Sequence, residues 1–98
     1  MVGGGTADIV GTQLRSLAAS CQVLCVTHLP QVASKGHAHF RVSKLSDGSS
    51  TRTRVTPLTH EERIEEVARM LGGLEITART REHAQEMLEA ADRPQKTG

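Results

Sequence analysis

One apolar run dominates the hydrophobic pattern of the chain, from Val23 to Val26. It stops at the polar pair Thr27-His28, which Pro30 follows closely. A short continuous run bounded by turn residues is typical of a strand buried on both faces, as in a parallel sheet. Because such sheets bind ligands at the carboxyl ends of their strands, we expect His28 to face a ligand crevice.

The segments on either side of this run have helical spacing. Thr6 can cap a helix that runs to about Ala19, with Asp8 in the first turn, where the positive end of the helix dipole favours an acid. One apolar stripe predicts that this helix packs on a sheet; its members are Val10, Leu14, Leu17 and Ala18. After the run, proline at the first position predicts a short helix from Pro30 to Ser34.

Alternation with a period of two follows in the middle of the chain. Phe40 and Val42 alternate with polar residues, and Thr51 to Val55 alternates again after the turn residues 46–50. This pattern predicts a β-hairpin with one packed face and one face in water. Its outward positions and flanks are basic: Lys35, Arg41, Lys44, Arg52 and Arg54. A solvated ribbon and contact with DNA phosphates are both compatible with that charge.

Two amphipathic helices complete the predicted order. Thr59 and Glu62 have the spacing of a capping box, and Gly72-Gly73 ends the helix that they start. Thr77 can cap the last helix. The two apolar stripes are Ile64, Val67, Ala68 and Leu71, then Ala84, Met87, Leu88 and Ala91. The sequence therefore predicts an α/β fold over residues 1–91 and a flexible tail over residues 92–98.

Composition limits the class of protein. A chain of 98 residues with 37% hydrophobic content, one Phe, no Trp and no Tyr can bury only a small aliphatic core. A net charge of +1 gives no global attraction to nucleic acid or membranes. With no apolar run of membrane-spanning length and two cysteines without an export signal, we expect a cytoplasmic protein with reduced thiols. Cys21, Cys25 and His28 lack a clearly placed fourth ligand, so we expect no metal site.

A buried strand also needs neighbours, which this sequence does not supply. The hairpin has a half-polar pattern that suits the edge of a sheet better than its centre. The sequence thus indicates either an unusual architecture or a piece of a larger sheet.

The residues around His28 are specific enough to indicate a family. The segment from Val23 to Ala33 closely resembles the histidine-switch segment of bacterial ABC-type ATPase heads related to SMC and Rad50 proteins. Residues 2–11 resemble the D-loop and the helix after it, and the hairpin and the helix at 61–73 also match. The phosphate-binding loop G-x-x-x-x-G-K-[ST] is absent, as are the ABC signature and the acidic strand end. The resemblance implies a fragment of an ABC-ATPase head lobe, with a buried parallel-type strand, a β-hairpin and flanking helices, whose other motifs lie upstream.

The resemblance also implies a site. His28 would contact the γ-phosphate of ATP and help to organise the attacking water, and Gln31 would assist from the next turn or serve only as a surface residue. Gly4, Gly5 and Thr6 would belong to the D-loop at the dimer interface; without the family, a glycine-rich terminus is typical of a disordered leader. ATP and magnesium are expected cofactors of the full-length parent. None is expected on this fragment, which we expect to be inactive alone.

The resemblance implies a parent protein that acts in recombinational repair of DNA double-strand breaks. The partners implied are the rest of the ATPase head, DNA, and a second copy through head engagement or edge pairing, with no membrane and a nucleoid-associated location in the parent. The alternative from another class is a stand-alone, non-enzymatic interaction module. It would self-associate through an exposed sheet edge, since unpaired edges invite pairing.

Overall fold

Two helices precede a β-hairpin and two follow it in the computed structural model, which describes residues 4–93. The elements in chain order are α1 (Gly4–Leu17), α2 (Pro30–Ala33), β1 (Phe40–Ser46), β2 (Thr51–Pro57), α3 (His60–Gly72) and α4 (Ala78–Asp92). β1 and β2 pair as an antiparallel sheet. Along the chain, α1 packs on α2, α2 on α3, and α3 on α4. The predicted α/β class, the hairpin and the flanking helices are confirmed.

The two closing helices begin where the capping residues predict. The Thr59 hydroxyl accepts from the Glu62 N–H at 3.2 Å, and the Glu62 carboxylate accepts from the Thr59 N–H at 2.9 Å. At α4, the Thr77 hydroxyl accepts from the Thr80 N–H at 3.1 Å. Gly73 ends α3 with a positive φ of 69°, a conformation that glycine adopts without steric cost. Local hydrogen bonds therefore fix the start of both helices, and Gly73 fixes the end of α3.

The hydrophobic core lies between α3 and α4. Val67 and Ala84 are completely buried there, and Leu88 is almost so. An ion pair at 2.6 Å between Arg81 and Glu65 joins the helices at the surface. The buried cluster consists of Ile64, Val67, Ala68, Ala84 and Leu88, with Leu71, Ile76 and Met87 packed against it. Both predicted stripes are thus confirmed.

Helix α1 differs from the prediction in its start and in its buried face. It begins at Gly4, so Thr6 lies inside the helix rather than at its cap. Val10 and Leu17, from the predicted packing stripe, are about half exposed, whereas Ala7 and Gly11 are buried. The smaller residues face inward because α1 lies directly against the short α2. In the described part of the chain, no sheet covers the larger apolar residues.

The predicted buried strand is wrong for this chain. Residues 22–27 have no regular secondary structure, and Leu24 and Val26 are 88% and 91% exposed. A strand is stabilised by hydrogen bonds to a neighbour and by burial of its faces. Within residues 4–93 the only sheet is the hairpin, whose two strands pair with each other, so Val23 to Val26 has no partner strand.

The hairpin forms where the alternation predicts but stands in solvent on both faces. The Asp47 carboxylate accepts from the Ser49 and Ser50 N–H groups at 3.2 and 2.9 Å, and Gly48 has a φ of 91°. The predicted packed face is exposed, since Phe40 is 50% and Val42 62% exposed. A two-stranded ribbon buries little by itself, so its turn and cross-strand pairs must hold it.

Most of the predicted tail lies outside residues 4–93, which the structure describes. Asp92 is still the last residue of α4, and residues 94–98 lie outside the described part. Within that part, no helix is long and apolar enough to cross a membrane.

Candidate functional site

His28 lies on an exposed connection immediately before α2. The Thr27 hydroxyl accepts from the Leu29 N–H at 3.0 Å, which tightens the turn around His28. Pro30 is buried and begins α2. The imidazole therefore stands in solvent between an exposed apolar segment and a fixed helix. The exposed side chain of His28 is therefore accessible to a ligand.

Helix α2 is held against α1 by a close approach at Gly11. A Cβ built on Gly11 would lie 2.8 Å from the Lys35 Cγ, 2.9 Å from the Gln31 carbonyl oxygen and 3.2 Å from the Val32 Cα. Real Cβ atoms essentially never approach other atoms within 3.0 Å. The absence of a side chain at this position thus lets the two helix backbones touch.

Two arginines fix the carboxyl end of α2. Arg15 Nη1 donates to the Lys35 carbonyl at 2.6 Å, and Arg63 Nη2 donates to the Gly36 carbonyl at 2.8 Å. The Lys35 ammonium also pairs with the Asp8 carboxylate of α1 at 3.1 Å. The segment after His28 is consequently anchored from α1 and from α3. Sequence reasoning missed both arginines, since helical spacing does not show which carbonyl an arginine reaches.

Arg63 is a partly buried anchor on α3. Burial lowers the pKa of its guanidinium, nearby Arg15 lowers it further, and Asp92 opposes the shift. Its Nε is buried without a hydrogen-bond partner within the described residues. Arg15 in turn donates to the Asp92 carboxylate at 3.1 Å, so α1, α3 and α4 meet through one charged cluster at the end of α2.

His39, at the base of the hairpin, lies beside the same cluster. Burial lowers the pKa of its imidazole, Arg63 lowers it further, and Glu66 opposes the shift. Its Nδ1 is buried and has no hydrogen-bond partner in the described chain. Glu66 is itself buried and bonded to Arg69, which lowers the pKa of the Glu66 carboxyl. The folded chain therefore favours neutral His39.

Acidification is expected to destabilise the fold through His39. A histidine whose folded pKa is lowered contributes stability that is present above its unfolded pKa, 6.5, and is lost as pH falls through the interval down to the folded pKa. Urea unfolding between about pH 7 and pH 5 measures this. His39→Gln should flatten the dependence, whereas His60→Gln, at an exposed position, should retain it. An unchanged pH dependence in His39→Gln would contradict the assignment.

The other predicted site residues lie in two helices, at the start of α1 and in α2. Gly5 and Thr6 are exposed in the first turns of α1, and Gly4 is its first residue. A Cβ on Gly5 would have no atom within 4 Å, so the backbone there is open to close approach. Gln31 lies in α2 with its carbonyl against Gly11. Contact at Gly11 joins α1, which begins with residues 4–6, to α2, which contains Gln31 and follows His28.

The cysteines do not gather into a metal centre in the described part of the chain. Cys21 and Cys25 are free and exposed. Residues 4–93 contain no group of three His, Cys, Asp or Glu side chains arranged to hold a metal ion.

Comparison with known proteins identifies relatives along nearly the whole chain. It is 51% identical over 88 residues to the DNA repair protein RecN of Xylella fastidiosa and equally identical over 88 residues to that of Haemophilus influenzae. It is 42% identical over 98 residues to RecN of Bacillus subtilis. These alignments cover 90%, 90% and 99% of the chain but 16%, 16% and 17% of the relatives. No family model matches the chain.

The relatives first define a class, that of DNA repair proteins. Within this class the chain belongs to the RecN family, of which it corresponds to the C-terminal part. It spans about one sixth of the length of these relatives.

Proposed function

We propose that the chain supplies the switch histidine and the D-loop of a RecN-type ABC ATPase head, in a protein that acts in recombinational repair of DNA double-strand breaks. One observation carries the proposal. An apolar segment with Leu24 and Val26 almost fully exposed leads directly to His28, and α2 anchors the other side of that histidine. Such a segment is suited to burial as a strand in a larger sheet, which would hold His28 at the sheet's carboxyl edge.

The chemistry of His28 suits this role. Phosphoryl transfer depends on positioning and on stabilising negative charge, and an imidazole N–H can donate a hydrogen bond to a phosphate oxygen. The exposed ring of His28 fits such a contact, and Gln31 in α2 can add an amide donor. ATP with magnesium supplies the phosphoryl group when bound to the complete head. The phosphate-binding loop is not in this sequence, so the isolated chain is assigned no hydrolysis of its own.

The start of α1 suits a contact between two heads. Gly5 is open to close approach, which a backbone meeting a second head beside a nucleotide requires. Residues 4–6 are joined to the His28 segment through the contact of α1 with α2. We assign Gly4, Gly5 and Thr6 to the D-loop from the resemblance of residues 2–11, and this geometry supports the assignment.

The exposed apolar surface indicates a further partner. Val10 and Leu17 of α1, with Leu24 and Val26, present large hydrophobic side chains to water. The rest of the head is the partner that would cover them, since the relatives are about six times longer than the chain. We also propose a second RecN copy and DNA as partners of the full-length protein. Its proposed location is the cytoplasm and the nucleoid.

A chimera tests the role of His28. This chain replaces the matching 88 residues of RecN from Haemophilus influenzae, and ATP hydrolysis is measured in single turnovers at saturating ATP. His28→Ala should lower the rate by about 100-fold or more, the loss typical of a single donor at a developing charge. His37→Ala provides a matched control, because His37 is also exposed and precedes the hairpin; its rate should stay unchanged. Equal rates for His28→Ala and the parent chimera would refute the switch role.

One observation favours the alternative, self-association through a sheet edge. Each strand of the two-stranded sheet has one edge with no neighbouring strand in the described chain, and such edges template pairing. An inactive chimera, together with a stable dimer of the isolated chain in light scattering, would support this alternative over the ATPase role.

A further inference from the structure

The hairpin carries three arginines on the same face. In the register, Arg54 lies opposite Ser43, and Arg52 lies opposite Leu45. Cross-strand partners share a face, and residues two apart along a strand do so as well. Arg41 therefore points to the same side as Arg52 and Arg54. We call this surface the basic face, defined by Arg41, Arg52 and Arg54.

The three arginines are evenly spaced along the ribbon. Arg41 stands level with Thr56, Arg54 two residues further along, and Arg52 two residues beyond that. Two residues of antiparallel strand span about 7 Å. The backbone positions thus step regularly along the face, with Arg41 on β1 and Arg52 and Arg54 on β2, an arrangement that can meet successive charges of an extended polyanion.

The charge of this row is not neutralised within the fold. Among residues 4–93, none of the three arginines forms an ion pair, and all are exposed. Asp47, in the turn, keeps its negative charge, but its carboxylate accepts four hydrogen bonds from Ser49 and Ser50 and none from an arginine of the described chain. At the base of the ribbon, Glu62 and Glu66 interact electrostatically with Arg41. Within the described chain, Arg52 and Arg54 thus have no intramolecular ion pair that a bound anion would have to displace.

The chemistry of the face selects among polyanions. Single-stranded nucleic acids are held largely by bases stacking on aromatic rings, and the only aromatic residue, Phe40, lies on the opposite face. Arginine forks match phosphate oxygens, and the partly exposed hydroxyl of Ser43 adds a donor. A two-stranded ribbon is also narrow enough to approach a duplex groove.

We infer that the basic face is a docking surface for the phosphate backbone of duplex DNA. The occupant follows from charge complementarity, from the absence of a stacking platform, and from relatives named DNA repair proteins. The inference is independent of ATP and of His28, so it stands or falls separately from the proposed ATPase role.

An NMR titration of the ¹⁵N-labelled chain with a short mixed-sequence duplex tests it. Binding should shift the amide signals of β1 and β2. With three phosphate contacts, each contributing about 0.9 to the logarithmic salt slope, affinity should fall about 40-fold between 50 and 200 mM salt. Changing Arg41, Arg52 and Arg54 together to Gln should abolish most binding and its salt dependence. The matched control, with Lys44, Arg79 and Arg93 changed to Gln, removes equal charge elsewhere and should keep the full slope.

Several outcomes would overturn the inference. One is an equal loss of binding in the two triple variants, because it would show general charge attraction. Tighter binding of a single strand than of the duplex is another, as is binding to anionic vesicles without binding to DNA. Circular dichroism of each variant should match the parent, since the substituted side chains are exposed, and this distinguishes lost docking from lost folding.

Discussion

Leu88→Ala should lower the free energy of unfolding by about 2–5 kcal/mol, the range for truncating a buried leucine. Leu88 is 3% exposed and packs in the α3–α4 core. Alanine would leave a cavity there, since neighbours fixed on two helices can collapse only partly. A chain this short has a total stability of only about 5–10 kcal/mol, so the variant should be largely unfolded at moderate urea. Urea unfolding monitored by circular dichroism measures the change.

Leu74→Ala is the control for this prediction. Leu74 is fully exposed in the connection between α3 and α4, so the same truncation should change the unfolding free energy by less than about 0.5 kcal/mol. Equal destabilisation by the two substitutions would show that the α3–α4 contact is not the core that stabilises the chain.

The α3–α4 pair could be predicted because its signals are local. The Thr59–Glu62 box, the Thr77 cap and the apolar stripes all act within one or two turns. The hairpin was predictable for the same reason, through Asp47 and Gly48 in its turn. What depends on distant partners was not predictable. Val23 to Val26 has the composition of a buried strand but lacks a neighbouring strand among residues 4–93.

The candidate site likewise has features that local sequence predicts and features that depend on distant contacts. The position of His28 before α2 followed from Pro30 and from family resemblance, and the structure places it there in the open. Its role in hydrolysis stays a prediction. The anchoring roles of Arg15 and Arg63 could not be predicted from the sequence, because their partners are backbone carbonyls 20 and 27 residues away. The pattern of Val10 and Leu17 predicted the wrong buried face for α1, since the small Ala7 and Gly11 allow the closer contact.

Gly11→Ala should separate α1 from α2. The new Cβ would meet the Lys35 Cγ, which can move, and the Gln31 carbonyl oxygen at 2.9 Å, which belongs to the backbone and cannot move alone. Overpacking of this kind costs about 1–3 kcal/mol, from which the higher helix propensity of alanine recovers up to about 1 kcal/mol. Urea unfolding measures the net loss. NMR shifts of the α2 amide signals should report the displacement. The Lys35–Asp8 ion pair should weaken as the helices separate.

Gly5→Ala makes the same chemical change on the same helix without the contact. Nothing lies within 4 Å of its new Cβ, so this variant should be as stable as the parent or slightly more so. The difference between the two variants isolates the helix contact from helix propensity. If Gly11→Ala matched Gly5→Ala in stability and in α2 shifts, α2 would not be held by α1. The His28 segment would then depend on Arg63 and the α3 contact alone for its position.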